Sequence, residues 1–240
     1  MLVLRTLSLD KRFWDNYFKV YDVLNYLIPY RELLEKLLYI LNPQKEEIIL
    51  DAGAGTGNLS VMIEARNAKV FALDMSDSAL EICKKKNNNI ITVVHDLNNS
   101  LPFTEDYFDK IVSNNTLYNI SPDKREFIIY EFKRVLKPGG LLVISNIHKK
   151  FNPFKIYKEG ILKSLQRNGL INTLFLTIKL ILPTFKMFIF NRKISSLRSD
   201  YLFDIDEQKN LLLKCGFLNV SETEIVYAGQ GIVNYGYKPK

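Results

Sequence analysis

Eleven residues constrain this chain more than any others: Ile48-Ile49-Leu50-Asp51-Ala52-Gly53-Ala54-Gly55-Thr56-Gly57-Asn58. An apolar run passes into three glycines at two-residue spacing and then into a helical pattern. That order reads as a strand, a tight turn and a helix. Glycine lets the backbone turn sharply and approach a ligand closely, because no Cβ stands in the way. In an open parallel sheet such a turn lies at the carboxyl end of its strand, where ligands bind. Spacing excludes two common ligands. A dinucleotide fingerprint needs glycine where Asn58 stands, and a P-loop needs a Gly-Lys-Ser/Thr ending that is missing here. Asp51 adds negative charge where a pyrophosphate would sit, and it suits a ligand with a positive group. A tight turn that holds no ligand is the competing reading.

Around this loop, short β-type runs alternate with helical patterns, the signature of βαβ units and a parallel sheet. Ile48–Asp51, Lys69–Leu73, Ile90–Val94, Lys110–Ser113 and Leu141–Ser145 read as strands. Ser78 and Glu81 have the spacing of a capping box, as do Asp204 and Glu207. Ser121-Pro122 opens a helix that runs to Leu136, with proline at its first position. Asn219–Tyr227 and Ile232–Tyr237 lie too close in sequence for a crossover helix, so they should pair antiparallel. The expected fold is α/β, a seven-stranded, mostly parallel sheet with one antiparallel hairpin. Upstream, residues 12–41 read as helical and are split by Pro29, with Phe13, Trp14, Tyr17, Tyr21, Leu24 and Ile28 at three- and four-residue spacings. Asp74 ends the second strand, where an acid can accept from both hydroxyls of a ribose. Asp96 follows the third, where an acid can accept from an adenine amino group. Taken singly, these two read equally well as a helix cap and a loop turn.

Together the segments resemble the class I S-adenosylmethionine-dependent methyltransferases. ILDAGAGTG is similar to that family's first motif, VFALDMS to its second, and HDLNNSLPF to its third. FDKIVSNNTLYNI resembles the fourth strand and its loop, and EFKRVLKPGGLLVIS the stretch before strand five. The resemblance implies a Rossmann-like three-layer sandwich and S-adenosyl-L-methionine as cofactor. It implies that Asp51, Gly53, Gly55 and Gly57 hold the methionine end and that Asp74 takes the ribose. Met75 would pack on the adenine, Asp96 would take its amino group with Leu97 beside it, and Asn114 would lie under the sulfonium. His95 departs from the pattern, since relatives commonly carry a small residue there. Residues 17–28 and the tail Tyr227–Lys238 resemble the quinone-biosynthesis C-methyltransferases in particular, which implies that Tyr21 reaches the cofactor carboxylate. A core role for Tyr17 and Tyr21 stands beside that reading.

Charge divides the chain further. Residues 149–198 carry eleven Lys and Arg and one acid, a balance of +10 against −3 for the remainder. Within them, 170–190 are mostly apolar, and Asn172, Lys179, Lys186 and Lys193 recur every seven residues as one narrow polar stripe of a helix. The expected organisation is an N-terminal helical cap over 1–45, a cofactor-binding core over 46–146, a basic apolar lid over 147–203 and completion of the sheet over 204–240. A basic, apolar helix reads as an interfacial element that docks on anionic lipid and admits a lipophilic substrate. A lid packed on its own domain, or on the partner in a homodimer, reads as well, and monomer and homodimer both stay open. No run of 18 uncharged apolar residues occurs, and residues 1–10 do not read as a signal peptide. Two cysteines and two histidines give no zinc spacing and no disulfide framework. The expected location is the cytoplasm, peripheral at the inner membrane surface.

The acceptor is less constrained. Ser113-Asn114-Asn115-Thr116 is not the Asn/Asp-Pro-Pro-aromatic tetrad of nucleobase amino methyltransferases, which counts against nucleic acid. A lipophilic small molecule, a quinone-type ring or a lipid head group, is the expected acceptor. The candidate catalytic residues are His148 as a base, with Tyr118 and Asn114 orienting the acceptor. Two other readings compete: an RNA methyltransferase with the basic segment on phosphates, and a non-catalytic membrane-binding protein that kept the fold.

Overall fold

In the computed structural model, residues 11–198 and 201–240 are described. The sequence reading of residues 1–10 therefore lies outside them, as does the Lys179 side chain. Seven strands form one sheet in the order β3-β2-β1-β4-β5-β7-β6. They are β1 Ile48–Ala52, β2 Lys69–Asp74, β3 Ile91–Val94, β4 Phe108–Asn114, β5 Leu136–Ile147, β6 Glu224–Val226 and β7 Gly231–Tyr237. β1 pairs parallel with β2 and β4, β2 with β3, and β4 with β5. β7 runs antiparallel to both neighbours, with Ile147 opposite Gly231 and Val226 opposite Gly231. The central strands are buried on both faces, which is why they read as continuous apolar runs.

The α-helices are α1 Lys11–Tyr21, α2 Ile28–Leu41, α3 Asn58–Glu64, α4 Asp77–Lys86, α5 Pro122–Val135, α6 Pro153–Arg198 and α7 Glu207–Lys214, with short 3-10 turns at Asp22–Tyr26 and Leu117–Asn119. The break between α1 and α2 precedes Pro29, which sits in the first turn of α2, where its missing N–H is harmless. α4 is capped by Ser76, not Ser78: the Ser76 hydroxyl accepts from Ala79 N–H at 3.3 Å. Ser78 instead donates to Asp15 at 2.7 Å, tying α1 to α4. α7 starts at Glu207 with Asp206 as its cap residue, and Glu207 reaches back to Asp204 N–H at 3.0 Å.

Two strands differ from the sequence expectation. β5 begins at Leu136, directly after α5, and a register shift between Phe108 and Lys110 takes up Lys137–Gly140. β6 is only three residues long. Upstream of it the pairing with β7 is intermittent: Leu218 and Tyr237 exchange both backbone bonds, Ser221 N–H donates to Tyr235 O, Asn234 donates from its side chain to Ser221 O and Thr223 Oγ1, and Asn219 has a φ of 49°.

α6 is not one straight helix. Gly169, with φ 74° and ψ 173°, breaks it. Ser164 and Thr173 then lie hydroxyl to hydroxyl at 3.0 Å. In a straight helix nine residues span about 13 Å, so the chain folds back here. The axis of Pro153–Ile178, which contains that fold, and the axis of Leu180–Ile194 are inclined by 59°. Pro183 lies within that second piece and lacks the N–H that would bond the Lys179 carbonyl. Thr173, Leu180, Met187 and Ile194 turn inward, whereas Ile171, Phe175, Ile178, Leu182, Phe185 and Ile189 are exposed. Among the described residues, no single helix is long and apolar enough to cross a membrane.

Candidate active site

The carboxyl ends of β1 to β5 open onto a cavity of about 240 Å³. β1 delivers Asp51 to it at 2% exposure. Ser60 donates to the Asp51 carboxylate at 2.6 Å, yet burial pushes its pKa up to about 7, with a smaller contribution from the Asp74 charge. β2 delivers Asp74, whose carboxylate accepts from Gly55 N–H and Ser76 N–H, both at 2.9 Å. Burial raises its pKa too, and those two bonds oppose the rise. Asp74 therefore pins the glycine loop to the end of β2. Asp96 follows β3, and its Oδ1 accepts from Asn98 N–H at 2.9 Å.

The glycines are obligatory for two different reasons. Gly53 and Gly55 have positive φ and line the cavity, and a Cβ on Gly53 would stand 2.2 Å from Thr116 Oγ1. Gly57 also has positive φ, but it lies outside the cavity lining. A Cβ there would stand 2.2 Å from Cys83 Sγ, so this glycine serves the close packing of α3 on α4.

Of the residues singled out from sequence, Tyr21, Asp51, Gly53, Gly55, Asp74, Met75, Asp96, Leu97, Asn114 and Tyr118 all line this one cavity. His148 does not. It is buried beside the turn between β6 and β7, its Nδ1 accepts from Lys150 N–H at 3.1 Å, and its Nε2 faces Gly229 O at 3.0 Å.

Sequence reasoning missed much of the far wall. Trp14 and Phe18 of α1, Tyr30 of α2, and Phe151, Ile194 and Leu202 around α6 all line the cavity. The aromatic density of residues 13–30 was the available signal for the first three. Nothing local announces the others: Phe151 directly follows β5, and Ile194 and Leu202 are brought in by the return of the segment beyond it. Tyr17, Tyr21 and Tyr227 also face inward, and burial holds each phenol well above its usual pKa. They are neutral donors and acceptors at physiological pH. Asn114 Oδ1 and Asn115 Oδ1 are buried in the cavity wall with no hydrogen-bond partner. Asn115 holds a left-handed φ of 52°, a conformation that asparagine tolerates and that concentrates at functional sites.

The donor set fits S-adenosylmethionine. Three carboxylates line the cavity and, among the described residues, no Lys or Arg does, in a chain whose pI is about 9.2. Such a cavity suits a ligand with cationic and hydroxyl groups and repels phosphates. The loop after β1 has no room for a Cβ, and the buried amide oxygens of Asn114 and Asn115 supply acceptors beside it.

Comparison with known proteins agrees. Residues 49–140 match the family described as a methyltransferase domain. A demethylmenaquinone methyltransferase of Renibacterium salmoninarum is 31% identical over 172 residues, covering 66% of this chain and 70% of the relative. A ubiquinone/menaquinone biosynthesis C-methyltransferase of Francisella tularensis subsp. novicida is 31% identical over 166 residues, covering 64% of this chain and 66% of the relative. Among solved structures, phosphoethanolamine N-methyltransferase 2 of Haemonchus contortus in complex with S-adenosyl-L-methionine superimposes with a TM-score of 0.66. It is 16% identical and covers all of this chain and 61% of that one, a likeness of fold.

Proposed function

The chain belongs to the class I S-adenosylmethionine-dependent methyltransferases of the ubiquinone/menaquinone-biosynthesis type, and we propose that it methylates a lipophilic, quinone-type ring at a membrane surface. The observation that carries the acceptor class is the contrast between the two ends of the cavity. Carboxylates gather at the ends of β1 to β3, whereas Tyr17, Tyr118, Tyr227, Phe151, Ile194 and Leu202 bring aromatic and apolar surface.

When bound, S-adenosylmethionine supplies a methyl group on a positively charged sulfur. Asp51 would meet its positive end, with Gly53 and Gly55 giving the backbone clearance. Asp74 would accept from the ribose hydroxyls and Asp96 from the adenine amino group, with Met75 and Leu97 against the ring. Tyr21 would reach the carboxylate. Asn114 and Tyr118 would orient the acceptor, since alignment and exclusion of water supply most of the rate in such a displacement. The aromatic wall keeps water out. No charged base stands among the described residues of that wall, so the acceptor must bring its own nucleophilicity, as an electron-rich ring carbon does.

Membrane docking is supported by α6. Its outward stripe recurs at four- and three-residue steps, with Ile171 83%, Phe175 71% and Leu182 72% exposed. Lys186 is exposed beside it, on a segment whose balance is +10. An apolar stripe edged by lysine suits the boundary of an anionic bilayer.

The test is methylation of a short-chain naphthoquinol in detergent micelles, read by product mass. A product with one added methyl on carbon is expected. Absence of turnover, with cofactor binding intact, would overturn the acceptor class.

A further inference from the structure

The turn between β6 and β7 is strained. Tyr227, Ala228 and Gly229 have φ of 56°, 57° and 73°, three positive values in succession. Residues with a Cβ rarely hold such a conformation, and they persist in it only where the surroundings enforce it. Here two buried side chains do so. Gln230 N–H is shared between Val226 O and Tyr227 O at 3.1 Å each, and Gln230 Nε2 donates to Ala228 O at 3.0 Å. His148 takes the remaining carbonyl, Gly229 O, at 3.0 Å. Lys150 N–H donates to His148 Nδ1, so Nδ1 is the acceptor and Nε2 carries the proton of a neutral ring. Every carbonyl from Val226 to Gly229 is thereby engaged. The same two residues grip the root of α6: Asn152 N–H donates to Gln230 Oε1 at 2.6 Å, and His148 forms a bridge to Phe203.

What the turn delivers is Tyr227. Its ring is 9% exposed, lies 6.1 Å from Tyr30 at 62°, and forms part of the cavity wall. The turn adjoins the end of β5, through Ile147 opposite Gly231, and so stands away from the carboxylates of β1 to β3.

We propose that Tyr227 is a specificity-determining residue against which the acceptor ring packs, and that His148 and Gln230 are its positioning residues. The strained turn is the part they hold, and it joins the root of α6 to the acceptor end of the cavity. The acceptor part of this inference rests on the proposed function above.

The test uses the full chain labelled with 3-fluorotyrosine and saturated with S-adenosylhomocysteine. The fluorine signal of Tyr227 is assigned by its loss in Tyr227→Phe. His148→Phe keeps the ring volume and removes the donor. It is expected to shift or broaden the Tyr227 signal and to raise the naphthoquinol KM about tenfold, the weight of one buried hydrogen bond, with cofactor Kd unchanged. His148→Gln, whose amide reaches the same carbonyl, is expected to restore both. Gly229→Ala probes the strain alone, because a Cβ there meets nothing within 4 Å. It is expected to move the same signal. An unmoved Tyr227 signal in His148→Phe overturns the proposal. So does a loss of cofactor affinity equal to the rise in KM. If the unaltered protein does not methylate the naphthoquinol, the acceptor class falls, and the fluorine signal alone decides the positioning claim.

Discussion

In the loop after β1, backbone and carboxylates hold one another; along α6, large apolar side chains face outward. Asp74 accepts from Gly55 and Ser76, and Thr116 presses on Gly53 with no space for a Cβ. Ile171, Phe175 and Leu182, by contrast, stand exposed on a segment that folds back at Gly169. The first region is finished by its own contacts and needs only a small cationic ligand. The second leaves apolar area uncovered, which in a stable protein marks a surface that meets something else. The difference assigns cofactor affinity to buried geometry and, on the proposed function, acceptor delivery to an external surface.

The largest effect should come from the rigid side. Gly57→Ala places a Cβ against Cys83 at a positive φ, and it should lower unfolding free energy by about 2–4 kcal/mol, read by denaturant titration. Adding Cys83→Ala should recover part of that loss, because the two sites are in contact. A loss no larger than that of an ordinary surface substitution would show that the loop is less constrained than described.

Asp74→Ala should weaken S-adenosylhomocysteine binding about a hundredfold, since it removes the proposed ribose acceptor and frees two N–H groups that the carboxylate holds. The same variant should leave binding to anionic vesicles unchanged. A parallel loss of both would break the division between the regions.

Removing the outward face should do the reverse. Phe175→Ser with Phe185→Ser should reduce partition onto anionic vesicles about tenfold or more, with cofactor affinity within about twofold of the parent. Equal partition by parent and variant would reassign the face.

The smallest effect is one of pH. In the ligand-free protein the Asp51 carboxyl holds its proton to about 7. A folded-state pKa above the unfolded value favours folding below that unfolded value, near 4, and this contribution is lost as pH rises to about 7. Cation binding runs the other way, because it needs the carboxylate. Cofactor affinity should therefore rise about tenfold from pH 6 to pH 8, and Asp51→Asn should flatten the rise. A flat profile in the parent would remove Asp51 from the binding account.

What was legible in the sequence follows the same division. The glycine loop, Asp74, Asp96 and the hairpin are written in a few adjacent residues, so spacing alone locates them. The cap of α4 lies two residues before the expected one because Ser76 and Ser78 both carry a suitable hydroxyl and both reach Asp15, and only the bond from Ala79 N–H to Ser76 separates them. β6 is shorter than expected where Asn234, eight residues beyond its end, bonds from its side chain to Ser221 and Thr223, a contact between positions distant in sequence. His148 read as a base because a histidine after a strand resembles one; its ring is in fact engaged by Lys150 and Gly229, the second of them 81 residues away. Phe151 reaches the cavity from just beyond the end of β5, and Ile194 and Leu202 from the far end of α6, whose return to the cavity no local pattern encodes.

The central claim, methyl transfer to a lipophilic acceptor, is tested most directly by following the label. Pure protein is incubated with methyl-labelled S-adenosylmethionine and, separately, with total lipid extract and total RNA of the source cell. The account predicts label in the organic phase of the lipid incubation, on a product whose mass identifies a methylated ring. Label confined to RNA would contradict it and would turn the basic segment into a phosphate-binding face.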